Sequence, residues 1–176
     1  MYTWKSFFVV QADYQHWANE ALFASLARLR PEILDADEGP ALPSIHHDIE
    51  HMLAVGQLWF ARLQDADAAA LREAHHPIWR ELLNAVRLET RRLEKWLEAQ
   101  PDAFFDAEVS FTDADGRARV MWVRDVLNHL YTEFARLRGQ IGAAAARLGA
   151  PRAELDYASY RREMVKLLQE ARQAPR

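Results

Sequence analysis

The sequence predicts an all-α protein built as a four-helix bundle, with a small β-hairpin before the fourth long helix and a short helix near the C-terminal end. Three observations predict it. Apolar residues recur at three-and-four spacing over four long stretches. Prolines fall between those stretches, at Pro31, Pro40, Pro43, Pro77, Pro101 and Pro151. A chain of 176 residues, 50% hydrophobic and 27% charged, suits one domain spanning 1–176 with a substantial core.

The first helix is expected from Ser6 to Leu29, with Phe7, Val10, Tyr14, Trp17, Ala18, Ala21, Leu22 and Leu26 on its apolar face and Pro31 ending it. From Pro31 to Pro43, Asp35, Asp37, Gly39 and Pro40 favour turns, and the length allows a crossover. Ser44 is the expected N-cap of a second helix running to about Leu63. Ile45, Ile49, Met52, Trp59 and Leu63 form one stripe of that helix, and His47, His51, Ala54 and Leu58 form another. Two stripes predict a helix sandwiched between neighbours, with His47 and His51 turned to a helix contact and not to water.

A third helix should begin near Pro77, which suits a first turn, and run through Trp79, Leu82, Leu83, Val86, Leu93, Trp96 and Leu97. Between Val109 and Met121, the turn sequence Asp113-Ala114-Asp115-Gly116 predicts a short hairpin. The fourth long helix is expected from about Trp122 to Leu148, stopped by Gly149, with Glu133 inside the arc of its core stripe. A last helix from about Asp156 to Ala171 should pack across the bundle.

Composition excludes several classes of function. A net charge of −4 argues against a surface for nucleic acid or anionic lipid. The absence of cysteine removes disulfides, thiolate metal sites and cysteine nucleophiles. No apolar run approaches a membrane span and no leader pattern opens the chain, so a cytoplasmic location is expected. Glycine-rich phosphate loops, a GxSxG elbow and an HExxH helix are all missing.

The concentrated chemistry lies in two pairs spaced to stack on a helix, His47 with His51 and His129 with Glu133. Imidazole and carboxylate both ligate first-row metals, so if the second and fourth long helices are neighbours the pairs form a candidate metal site. The same side chains also read as polar groups satisfied by hydrogen bonds. A carboxylate in an apolar arc favours the metal, because burial is costly without a cation or donor. His16 with Glu20 reads as a solvated pair, His46 and Asp48 as lying away from the His47 side, and His75-His76 as exposed residues at a helix start.

Three stretches together resemble the DinB family, the DinB/YfiT-like metalloenzymes: Tyr14-Gln15-His16-Trp17-Ala18-Asn19-Glu20, Ser44-Ile45-His46-His47-Asp48-Ile49-Glu50-His51-Met52-Leu53, and Asp125-Val126-Leu127-Asn128-His129 continuing to Arg138-Gly139-Gln140. The resemblance implies an up-down-down-up bundle, a homodimer, and three histidines holding a divalent metal, usually zinc or nickel. It also implies a thiol-dependent transferase or isomerase acting on a small molecule with a low-molecular-weight thiol such as mycothiol or bacillithiol. Its first ligand falls on His51, but its second and third fall on Glu133 and Leu137. Two readings follow. Either the site slides one turn, with His129 and optionally His47 joining His51 and Glu133 in an altered metal enzyme, or it has decayed and left a non-catalytic dimeric binding module.

Overall fold

A computed structural model describes residues 2–36, 43–66 and 75–173. Among these residues six helices and one hairpin follow in order: α1 (Trp4–Leu26), α2 (Pro31–Leu34), α3 (Ile45–Leu63), α4 (Trp79–Ala99), a 3-10 turn (Asp102–Asp106), β1 (Glu108–Thr112), β2 (Ala118–Trp122), α5 (Val123–Arg147) and α6 (Tyr157–Gln173). The turn expected at Asp37, Gly39 and Pro40 lies outside the described residues.

Local chemistry sets the boundaries. Thr3 and Ser6 exchange side-chain hydrogen bonds as a capping box on α1, and Ser44 accepts from the His47 backbone N–H at the start of α3, as expected from the sequence. The hairpin is antiparallel, with Val109 opposite Met121 and Phe111 opposite Arg119. Its turn is tied by Asp113, whose Oδ1 accepts from the Asp115 and Arg117 backbone N–H groups. Gly116 supplies the left-handed backbone there, and Gly149 does so just after α5.

The four long helices α1, α3, α4 and α5 form the bundle, and each packs on two others: α1 and α3 both touch α4 and α5. Cross-helix contacts fix the directions. Lys5 Nζ donates to the Gln100 carbonyl at 2.7 Å and Arg87 reaches Glu20 at 2.6 Å, so α1 and α4 are antiparallel. Phe8 meets Tyr131, and Gln15 and Asn19 meet Arg138, so α1 and α5 are parallel. Trp59 meets His129 while the earlier Gly56 meets Phe134, making α3 antiparallel to α5. His46 with Trp79 and Phe60 with Trp96 make α3 parallel to α4. The course is therefore up-down-down-up.

The core joins all four helices through Phe8, Leu22, Ile49, Met52, Phe60, Leu82, Leu97, Leu127, Leu130 and Ile141. At the α3–α5 contact a Cβ added to Gly56 would stand 3.1 Å from Phe134 Cζ, so glycine admits the ring there.

One buried cation stands among this hydrocarbon. Arg138, 1% exposed, donates to Gln15 Oε1 at 2.6 Å and Asn19 Oδ1 at 3.1 Å, and its guanidinium lies 5.7 Å from the Tyr14 ring centroid. Burial pushes its pKa down to about 10. Asn19 in turn donates to Thr90 Oγ1 on α4 at 3.3 Å, so the network ties three helices.

α6 departs from the expectation that it packs across the bundle. Its first turns sit on α1, where Tyr160 is buried and its hydroxyl donates to Asp13 at 2.7 Å, but Val165, Leu167 and Leu168 are exposed. Burial along α6 stops after Met164, although apolar residues continue beyond it.

Arg138→Met is expected to lower stability by about 2–4 kcal/mol, because two buried amide oxygens lose their donors. Urea unfolding measures this, and a change below about 0.5 kcal/mol would show that the network is not what joins α1 to α5.

Candidate metal-binding site

The α3–α5 contact brings the expected residues to one face, with different surroundings from those the sequence suggested. The core stripe of α3 is Ile45, Ile49, Met52, Leu53, Gly56, Phe60 and Leu63. His47 and His51 lie off that stripe and are exposed, which corrects the expectation that they are sandwiched. Their arc faces a hollow of about 200 Å3 lined by His47, Glu50, His51, Leu53, Ala54, Gln57 and His75.

On α5, Leu130, Phe134, Leu137 and Ile141 point into the core, and His129 and Glu133 sit at its margin. The His129 ring is edge-on to Trp59, with centroids 4.8 Å apart. Trp59 is in turn covered by the Arg62 guanidinium, 4.4 Å from its centroid. Glu133 is half-buried and not a core residue, because it accepts from Arg136, three residues on, at 2.7 Å. Those Arg136 hydrogen bonds hold the Glu133 carboxyl below its ordinary range against a smaller effect of burial, and positive charge on His129 and His51 lowers it further. Glu133 thus stands within electrostatic reach of both imidazoles.

Among the described residues, no three His, Asp or Glu side chains stand close enough together to hold a metal ion. The resemblance's three-imidazole set does not fit, since Leu137 is 3% exposed and presents only hydrocarbon to the core. The adjacent set of His51, His129 and Glu133 fits in donor chemistry. Its two imidazoles are exposed, and a surface pair such as Glu133–Arg136 stabilises by only about 0–1 kcal/mol.

His46 lies away from the exposed His47, as the sequence reading has it, and takes part in contacts that reading did not anticipate. His46 is buried, with Nδ1 2.7 Å from Asp35 Oδ1 and Nε2 2.7 Å from the His76 carbonyl. The carbonyl only accepts, so Nε2 carries a hydrogen. Glu50 Oε1 accepts from the His76 backbone N–H at 2.7 Å and lies 3.0 Å from His75 Nδ1. Burial acts to raise the Glu50 pKa, but the His76 N–H and the neighbouring imidazoles outweigh it and lower the value. Asp48 is half-buried, and burial raises its carboxyl pKa against the pull of His47 and His51.

His16 is also half-buried, with Nδ1 lacking a hydrogen-bond partner. Burial, then Arg91, lowers its pKa, while Glu20 reaches across to Arg87. The solvated pair read from spacing is replaced by a cross-helix ion pair. Sequence reasoning missed Glu50 and His75 as lining groups; the position of Glu50 between His47 and His51 was the available signal.

The folded Glu133 carboxyl is a stronger acid than the unfolded one, so its pairing is complete above the ordinary value of 4.5 and is lost as pH falls through the lower folded value. Carboxyl NMR titration is expected to show a midpoint below 4.5, moving upward in Arg136→Ala. An unmoved midpoint would remove Arg136 as the cause.

The fold has a solved counterpart. YfiT from Bacillus subtilis, described as a probable metal-dependent hydrolase with an unusual four-helix bundle topology, aligns with a TM-score of 0.61 at 13% identity, covering 84% of this chain and 89% of that one. No curated protein matches the chain. The DinB family model matches residues 2–172, which cover the hairpin and, but for the last residue of α6, the six described helices, and the chain therefore belongs to the DinB family.

Proposed function

We propose that this protein is a divalent-metal-dependent enzyme acting on a small molecule, with the ion anchored at His51 and with His129, Glu133 and His47 as the further donors. The carrying observation is the packing of α3 against α5, with Trp59 of α3 on His129 of α5, which brings the helix bearing His51 beside the one bearing His129 and Glu133. Imidazole with carboxylate suits zinc or nickel. A divalent ion at such a site supplies Lewis acidity, which polarises a substrate oxygen or lowers the pKa of a thiol or water.

The chain's own residues would supply the rest. Trp59 walls one side of His129, and the hollow beside His51 has room for a small polar ligand. A thiol-dependent transfer or isomerisation is the reaction class that the family resemblance favours, with the thiol brought by a low-molecular-weight cosubstrate because the chain has no cysteine. YfiT's description as a hydrolase supports the metal dependence and points to water as the other nucleophile. Pairing with a second copy and a cytoplasmic location belong to the same proposal. No described helix is long and apolar enough to cross a membrane.

The buried Leu137 favours a second reading, a non-catalytic dimeric module that has lost the metal. Native mass spectrometry of protein purified without chelator or affinity metal separates the two. The metal reading expects a dimer carrying one divalent ion per chain, and a metal-free dimer for His51→Ala. A metal-free wild type that takes up neither zinc nor nickel would leave the binding module.

A further inference from the structure

Five arginines among the described residues lie over aromatic rings, and four of them are matched by side-chain oxygens. Arg87, Arg92 and Arg124 each hold a carboxylate as well as a ring, from Glu20, Glu89 and Asp106. Arg138 has the amide oxygens of Gln15 and Asn19. The fifth, Arg62, stands in the last turn of α3 beside the hairpin, with no carboxylate at ion-pair distance among the described residues. Its guanidinium fills the angle between two rings inclined at 77°, 4.4 Å from the Trp59 centroid and 4.5 Å from that of Phe111.

Arg62 makes one hydrogen bond, from Nη2 to the Thr112 carbonyl of β1 at 3.1 Å. Its Nε is buried and meets no acceptor, an unmatched donor that costs stability where it stands. Asp113 acts on the guanidinium through space, but its own oxygens are taken by Arg119 at 2.6 Å and by the N–H groups of the hairpin turn. Ring faces attract a cation without neutralising it. Burial accordingly pushes the Arg62 pKa down, against the opposing pull of Asp113. Trp59 ties this cation to the α3–α5 site, because the same indole meets the His129 ring with centroids 4.8 Å apart. Along α3 the order is His51, Trp59, Arg62, so the guanidinium stands about 16 Å from His51 down the helix axis and one indole away from His129.

We propose that Arg62 binds an oxyanion, a carboxylate or phosphate group, carried by the small molecule that the α3–α5 site takes. The proposal rests on the reading of that flank as the site of a small-molecule enzyme, and it narrows the substrate class to anions. A guanidinium held by two rings and a carbonyl is ordered before any ligand arrives, so little freedom is lost on binding. Its planar fork matches the spacing of two oxyanion oxygens. Because Arg62 lies at the far end of the site from His51, it holds the tail of a molecule and leaves the histidines to the reacting end. An anion there supplies the counter-charge that the protein withholds from this one ring-bound arginine.

NMR titration of the full chain, without added metal, tests this with inorganic phosphate and separately with succinate, against chloride at equal ionic strength. The reporters are the Arg62 side-chain Nε–H, identified by its loss in Arg62→Lys, and the Thr112 backbone N–H. Both are expected to shift saturably with one of the two oxyanions and not with chloride, while the Arg87 Nε–H, already bound to Glu20, stays still. The anion that saturates at the lower concentration identifies the group. Arg62→Gln, shown by thermal melting to be folded, should weaken binding about tenfold or more, as loss of a charge-assisted pair does. No saturable shift with either oxyanion, equal shifts at Arg87, or undiminished affinity in Arg62→Gln would overturn the proposal. A chain that binds the anion at Arg62 but takes up neither zinc nor nickel would remove the metal reading and leave the anion subsite standing.

Discussion

The bundle depends on a guanidinium buried without a carboxylate. Arg138 is satisfied by the amide oxygens of Gln15 and Asn19 and by the face of Tyr14, a neutral shell that accepts its hydrogens but does not cancel its charge. Such an arrangement is tolerable only where every donor is met, so it fixes the register of α1 against α5 more narrowly than apolar packing does. It also explains in physical terms why the stretches Tyr14–Glu20 and Arg138–Gln140 occur together: they are the two halves of one contact. With α5 pinned parallel to α1, His129 and Glu133 are delivered to the flank of α3, where Gly56 lets Phe134 approach.

α3 then serves two regions at once. Its core stripe meets α4 and α5, while its outer arc carries His47, Glu50 and His51 to a hollow. Buried His46 stands between these roles, joining Asp35 beyond α2 to His76 before α4. The side chains that shape the hollow are thus positioned by the bundle's connections as well as by its helices. Leu137 shows the complementary choice on α5, where the side chain one turn past Glu133 is given over to the core.

Much of this was legible in the sequence because helical periodicity, caps and breakers are local. Ser44 caps α3, Gly149 ends α5 and Asp113–Gly116 turns the hairpin, each by chemistry contained within a few residues. Partnerships across helices were not legible. Glu20 has His16 one turn away, but it bonds Arg87 at a sequence distance of 67, which no spacing announces. Glu133 read as interior because it flanks Leu130, Phe134 and Leu137; a side chain at the edge of an arc is turned outward by a partner such as Arg136. His47 and His51 read as sandwiched because a second stripe looks the same in sequence whether it meets a helix or a hollow. His75 carried no local signal at all, since its significance comes from Glu50, 25 positions earlier.

The metal proposed at His51 would give these separate features one function, and its position is directly observable. Crystals of the protein grown with zinc, with diffraction recorded on either side of the zinc absorption edge, should show one strong anomalous peak per chain within ligating distance of the His51 imidazole. A peak remote from His51, or none despite saturating zinc, would contradict the account.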